Sequence, residues 1–191
     1  LVLASPGTST HSNSVSSMNI SRALPADAHR VSALAIETFP LACPPGTTQE
    51  NLDQFCATKL SPESFKAYLA DPRIRIWFAG HGDELLGYVM SVSGEPNDLV
   101  IAEAVSARPT VEISKIYVRA SAHGSGVAQQ LVSVAVEDAR AEGAQSVWLG
   151  VNQQNERANT FYERNGFLVV GERRFQVGDS LEEDFVREKV L

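Results

Sequence analysis

A strand that passes through a run of small residues straight into a helix narrows the folds open to this chain more than any other feature. Val111–Arg119 is rich in β-branched residues, Ala120-Ser121-Ala122-His123-Gly124-Ser125-Gly126 follows, and Val127–Glu142 repeats apolar residues at Val127, Leu131, Val134 and Ala135. That last spacing is one face of a helix. Small loop residues let the backbone approach a ligand. The first N–H groups of the helix then point outward with the positive end of its dipole behind them. The unit is either an anion cradle or a tight connection with no ligand. Two nucleotide patterns are missing from it: the sixth position counted from Gly124 is Gln129 rather than Gly, and Gly-Lys-Ser/Thr does not occur.

Around this unit the periodicity alternates. A short strand is expected over Asn19–Ala23, then a helix from Pro25 that carries Val31, Leu34, Ala35 and Phe39 at helical spacing. Thr48 is the expected cap of a second helix running to Leu60, and Ser61-Pro62-Glu63 opens a third that ends near Asp71-Pro72. Ile74–Ala79 and Leu85–Val92 read as a hairpin about Gly80-His81-Gly82-Asp83. Residues 94–110 read as a loop, because Gly94, Pro96, Asn97, Asp98 and Pro109 punctuate them. After the glycine loop and its helix come a strand over Ser146–Val151, a helix over Glu156–Asn165, and strands over Phe167–Gln176 and Asp184–Leu191. Helices, a hairpin, then β-α-β-α-β-β predict one α/β domain built on a mixed sheet.

A second pattern lies 29 residues beyond Gly126. In Asn155-Glu-Arg-Ala158-Asn-Thr-Phe161-Tyr162-Glu-Arg-Asn-Gly166-Phe167, the residues Asn155, Ala158, Asn159 and Tyr162 share one helix face. Asn155 can donate to and accept from an amide-rich ligand, and Tyr162 can protonate a departing thiolate. Each residue alone could equally cap or pack.

The two patterns together resemble the GNAT acetyltransferases, and the resemblance covers about residues 18–191. The loop matches Gln/Arg-x-x-Gly-x-Gly/Ala as His123-x-x-Gly126-x-Ala128, with His123 where Gln or Arg is usual. Trp148-Leu149-Gly150-Val151, Gly171, Phe175, Gly178-Asp179 and Asp184, with Ile36-Glu37-Thr38-Phe39 and Glu112–Val118 upstream, are similar to the PaiA-type polyamine acetyltransferases. The resemblance implies a mostly antiparallel sheet flanked by helices and acetyl-CoA as cosubstrate. It implies that His123, Gly124, Ser125, Gly126, Val127 and Ala128 hold the pyrophosphate. Ile116, Tyr117 and Val118 pair with the pantetheine arm, and Asn155 contacts the cofactor. Glu112 is the implied proton acceptor, or else a strand residue paired with Lys115. Tyr162 is the implied acid in a direct attack, and Glu37, with Glu50 or Asp53, the implied ammonium partner.

Composition sorts the remaining readings. The 191 residues carry a formal charge of −7, which disfavours nucleic acid and mildly attracts a cationic substrate. No apolar run approaches the roughly 18 residues that span a membrane, so a cytoplasmic protein is expected. Cys43 and Cys56 fit no metal or redox spacing and are expected as reduced thiols, with no metal bound. Residues 1–17, with eight Ser or Thr, are expected to be a disordered leader or an artificial remnant ahead of Met18. A small primary amine, foremost a polyamine, is the expected acceptor. A protein N-terminal or lysine acetyltransferase and a CoA-binding regulator without turnover are the alternatives, and a homodimer is an allowed assembly. A pure binder would need neither Glu112 nor Tyr162.

Overall fold

The computed structural model describes residues 18–177 and 180–191; the proposed leader at 1–17 and the Gly178-Asp179 pair lie outside them. Seven strands form one sheet in the order β1-β2-β3-β4-β5-β7-β6. They are β1 (Asn19–Arg22), β2 (Ile74–His81), β3 (Glu84–Ser93), β4 (Thr110–Val118), β5 (Ser146–Asn152), β6 (Leu168–Val177) and β7 (Ser180–Val190). Every neighbouring pair is antiparallel except β4 with β5. Among the described residues six α-helices flank the sheet: α1 (Ala28–Thr38), α2 (Gln49–Lys59), α3 (Pro62–Ala70), α4 (Leu99–Ala104), α5 (Val127–Ala141) and α6 (Glu156–Arg164).

Local chemistry sets the helix starts. The Thr48 hydroxyl accepts from the Asn51 N–H and that of Ser61 from Ser64, each satisfying a donor that the first helical turn leaves open. Two cores lie on opposite faces of the sheet. On one, Val127, Leu131, Val132, Ala135 and Ala139 of α5 meet Val111 and Ile113 of β4 and Val147, Leu149 and Val151 of β5; Tyr162 of α6 joins them. On the other, Val31, Leu34 and Ala35 of α1 and Phe65 of α3 cover Ile76, Phe78, Tyr88 and Met90.

One expectation is corrected here. The segment read as a loop contains α4, whose first turn is held by the Asp98 carboxylate accepting from the N–H groups of Val100 and Ile101. Ile101 and Val105 then bury against Trp148 and Val186. The turn-forming residues mark the helix entry, and tertiary burial supplies what a six-residue helix lacks on its own.

What positions the site is the parting of β4 from β5. Their pairing covers only Thr110, Val111 and Glu112 against Ser146, Val147 and Trp148, anchored by the Thr110 and Ser146 hydroxyls at 2.8 Å. Beyond it, β5 continues alongside β7 as far as Asn152, while β4 follows β3. The β3 register jumps between Met90 and Ser91, leaving Ser114 of β4 without an opposite residue. Such a bulge bends and twists its strand, which carries the far half of β4 away from β5.

Candidate active site

Into that fork opens a cavity of about 820 Å³. One wall is β4, through Ile116, Tyr117 and Val118; the floor is the loop and first turn of α5; the opposite wall is α6, from Asn155 to Arg164. Thr38, Leu41 and Ala42 close it at the end of α1. Because β4 has left β5, its free edge faces the cavity with backbone groups that a partner strand would otherwise use.

The floor has the chemistry of an anion site. Gly126 sits at φ +89°, a left-handed conformation suited to glycine, and begins α5 without any side-chain cap. The first helical hydrogen bond at this end runs from the Gln130 N–H to the Gly126 carbonyl. The N–H groups of Val127, Ala128 and Gln129 therefore carry the uncapped positive end of the dipole at the cavity. Gly124 and His123 line the same floor, whereas Ser125 turns its hydroxyl inward to donate to the Ala122 carbonyl at 2.7 Å.

His123 is held from two sides. Arg157 of α6 donates from Nη1 to His123 Nδ1 at 3.0 Å. A guanidinium can only donate, so Nδ1 is the acceptor and Nε2–H donates to the Val118 carbonyl at 2.9 Å. The imidazole thus ties the end of β4 to α6, and it brings the Arg157 cation to the cavity wall. Sequence reasoning missed Arg157; the signal was the unusual His123, which needs a partner to supply charge to the loop.

Tyr162 is 8% exposed and packs edge-on against Phe161 and Phe167. Burial pushes its phenol above the ordinary tyrosine value, so it holds its proton throughout the neutral range. Asn155 lines the cavity, but its carbonyl oxygen caps α6 by accepting from the Ala158 N–H at 3.0 Å. Tyr117 packs against Phe39 and Tyr88, and burial raises it too, with Cys43 and Tyr162 adding to the effect.

A model of the acetyltransferase (GNAT) family matches residues 35–167. The chain belongs to that family. It is 39% identical over 165 residues to an uncharacterized N-acetyltransferase of Mycobacterium tuberculosis, covering 86% of this chain and 98% of the relative. An uncharacterized N-acetyltransferase of Lactobacillus delbrueckii is 28% identical over 160 residues, covering 83% of this chain and 89% of that one. Among solved structures, a PaiA N-acetyltransferase from Thermoplasma acidophilum, in complex with coenzyme A, superposes with a TM-score of 0.72 at 19% identity. The match covers 92% of this chain and 99% of that one, and at such identity it speaks for the fold. The seven-stranded, mostly antiparallel sheet with flanking helices is therefore the GNAT fold.

The fork separates the implied GNAT residues into two groups. Tyr162, Asn155, His123, Gly124, Gly126, Val127, Ala128 and the β4 triplet line the cavity. Glu112 lies where β4 and β5 part, opposite Trp148, and is not among the lining residues. Burial raises its carboxyl above the usual range, against the fields of Arg173 and Lys115. Glu37 also stands apart: its carboxylate pairs with Arg119 at 2.9 Å, and Asp53 accepts from Gln49 at 2.8 Å. Cys43 and Cys56 are free thiols, and burial raises both. Among the described residues no cluster of His, Cys, Asp or Glu suits a metal ion, and no helix is long and apolar enough to cross a membrane.

Arg157→Ala is expected to weaken coenzyme A binding about fivefold while leaving the acceptor Michaelis constant unchanged. It removes a cation from the cavity wall and one of the two holds on His123. Calorimetry on the folded variant checks this, and unchanged affinity would leave Arg157 as a helix-surface residue.

Proposed function

We propose that this protein transfers the acetyl group of acetyl-CoA to a primary amine by direct attack, both substrates being bound together. What carries the reading is the fork in the sheet, which has an uncapped helix start at one end and a buried, protonated phenol in its wall. Orphan donors, a nearby guanidinium and a free strand edge are the partners that a pyrophosphate and a pantetheine amide chain require. The Thermoplasma structure holds coenzyme A, and a plant NAA60 of TM-score 0.71 and 17% identity, covering 92% of this chain and 99% of that one, holds acetyl-CoA.

The proton inventory follows from the residues. An amine attacks only when neutral, so a base must take its proton; Glu112, with its raised carboxyl, serves directly or through water. As nitrogen bonds to the acetyl carbon, charge grows on the carbonyl oxygen, and backbone N–H groups on the free edge of β4 stabilise it. The C–S bond then breaks, and Tyr162 gives its proton to the sulfur. The products are an N-acetylated amine and free CoA–SH. Neither thiol lines the cavity or is biased toward thiolate, so a covalent route through cysteine has no support here.

Polyamine acceptors drew their support from the resemblance to the PaiA type, from the charge of −7 and from Glu37, Glu50 and Asp53. The Glu37 carboxylate is already paired with Arg119, and Asp53 accepts from Gln49, so two of the ammonium partners named for that acceptor class have contacts within the protein. Initial-velocity kinetics with acetyl-CoA and a panel of primary amines test the proposal. Intersecting double-reciprocal lines are expected, and parallel lines would mean an acetyl-enzyme instead. Glu112→Gln should lower kcat about 10²-fold. It should also abolish the acid limb of the pH profile, where activity is lost as pH falls through the raised carboxyl value. A limb that survives in the variant belongs to another group.

A further inference from the structure

The face of β4 turned toward α2 and α3 carries an ammonium group that the acetyl-transfer reading does not use. The bulge at Ser114 resets the alternation: Val111, Ile113, Ile116 and Val118 point to the α5 side, while Glu112, Lys115 and Tyr117 share the other. Lys115 Nζ lies 5.4 Å from the centre of the Tyr68 ring, a cation over an aromatic face. Among the described residues it makes no hydrogen bond and no ion pair. A half-buried cation without a counter-ion carries a desolvation cost that an arriving anion would offset.

Glu112 on the same strand and Lys59 at the end of α2 are the charged groups whose fields reach Lys115, and Tyr68 of α3 supplies its ring. Glu112 in turn feels Arg173 of β6, whose guanidinium lies over Gly150, in space that any Cβ there would fill, and bonds to Asp184 at 3.3 Å. Lys59, Lys115 and Arg173 thus stand in one cluster with Glu112, Asp184 and Glu182, the last of which raises the Asp184 carboxyl. If Glu112 takes the acceptor's proton, Lys115 loses the one anionic field that reaches it as the reaction proceeds.

We propose that Lys115 binds a carboxylate on the acceptor, so that this enzyme acetylates a small amino acid-like amine in preference to a polyamine. The inference rests on the acetyl-transfer reading. It names a specificity residue on the opposite face of β4 from the core of α5, three positions from the proposed base. The ammonium is poised to lose charge: burial lowers Lys115 to about 8, with Lys59 adding to the effect and Glu112 opposing it. Because only the protonated form attracts an anion, the preference should be full below that value and fade as pH rises through it.

L-Ornithine and putrescine supply the test, since they differ by one carboxylate and share the same terminal amine. For the wild-type protein saturated with acetyl-CoA, kcat/KM should be at least tenfold higher for ornithine. Lys115→Met should cut that ratio at least fivefold through the Michaelis constant, Lys115→Arg should retain most of it, and CoA affinity should not change. A tenfold wild-type preference for putrescine, or a ratio untouched in Lys115→Met, would overturn the proposal. So would a tenfold preference for an acidic peptide over free ornithine. The same pair titrated calorimetrically into the CoA complex reads the preference independently of turnover. A Lys115-dependent binding ratio without acetylation would sink the transferase reading and leave only the carboxylate contact standing; acetylation without the ratio would sink this proposal and leave the transferase reading intact.

Discussion

Gly126→Asp is expected to weaken coenzyme A binding at least tenfold, about 1.4 kcal/mol, while Gly126→Asn binds almost as the parent does. Gly126 lines the cavity floor at φ +89°, immediately before three N–H groups that no acceptor among the described residues satisfies. A Cβ built there meets nothing within 4 Å, so a small side chain extends into open space without a clash. Asp and Asn are the L-residues that best tolerate a left-handed conformation, and they share a shape. Any backbone strain is common to both variants; the difference between them is one negative charge facing the helix start. Isothermal titration of the two folded variants separates these effects. Equal affinities would mean that no phosphate sits at this loop.

Tyr162→Phe should lower kcat on the order of 10²-fold with both Michaelis constants little changed. The ring is wedged between Phe161 and Phe167, so phenylalanine keeps the aromatic packing. Among the described residues the Tyr162 hydroxyl makes no hydrogen bond, and its loss should therefore leave the melting temperature nearly unaltered. What disappears is a proton donor whose burial keeps it protonated in the neutral range. The penalty should shrink with acyl donors whose thiol leaves more easily, since these need less help from an acid. A Tyr162→Phe protein with an unchanged turnover number would reduce Tyr162 to a packing residue.

The sequence made the strand–glycine loop–helix unit and the Asn155 helix legible because each depends on local chemistry. Small residues, a positive-φ glycine and residues at i, i+3, i+4 and i+7 can be read without knowing the fold. The ends of most elements fall within a residue or two of expectation for the same reason: caps at Thr48 and Ser61 are local hydrogen bonds. α4 was hidden because its stability comes from Trp148 and Val186, dozens of residues away. The fork was hidden too, since a register jump opposite Ser114 is a property of two strands.

Site residues divide along the same line. Those on the loop and on one helix face came through, whereas Arg157 became visible only when α6 was seen to reach His123. Glu37 looked like a free carboxylate on a helix, yet Arg119 at the end of β4 takes it up across 82 positions of sequence. Lys115 next to Glu112 invited a salt bridge. Instead the structure sets its ammonium beside Tyr68, beyond ion-pair reach of any described carboxylate. In each case the missing information was the long-range partner.

The most direct measurement of the central claim is the fate of labelled acetyl. Acetyl-CoA carrying carbon-14 in its acetyl group is incubated with the protein, with and without ornithine and putrescine. The account predicts that label moves to amine nitrogen only when an amine is present, with one CoA–SH released per acetylated amine and no label held by the protein alone. Normal coenzyme A binding with no label on any primary amine, or label retained on the protein in the absence of amine, would contradict it.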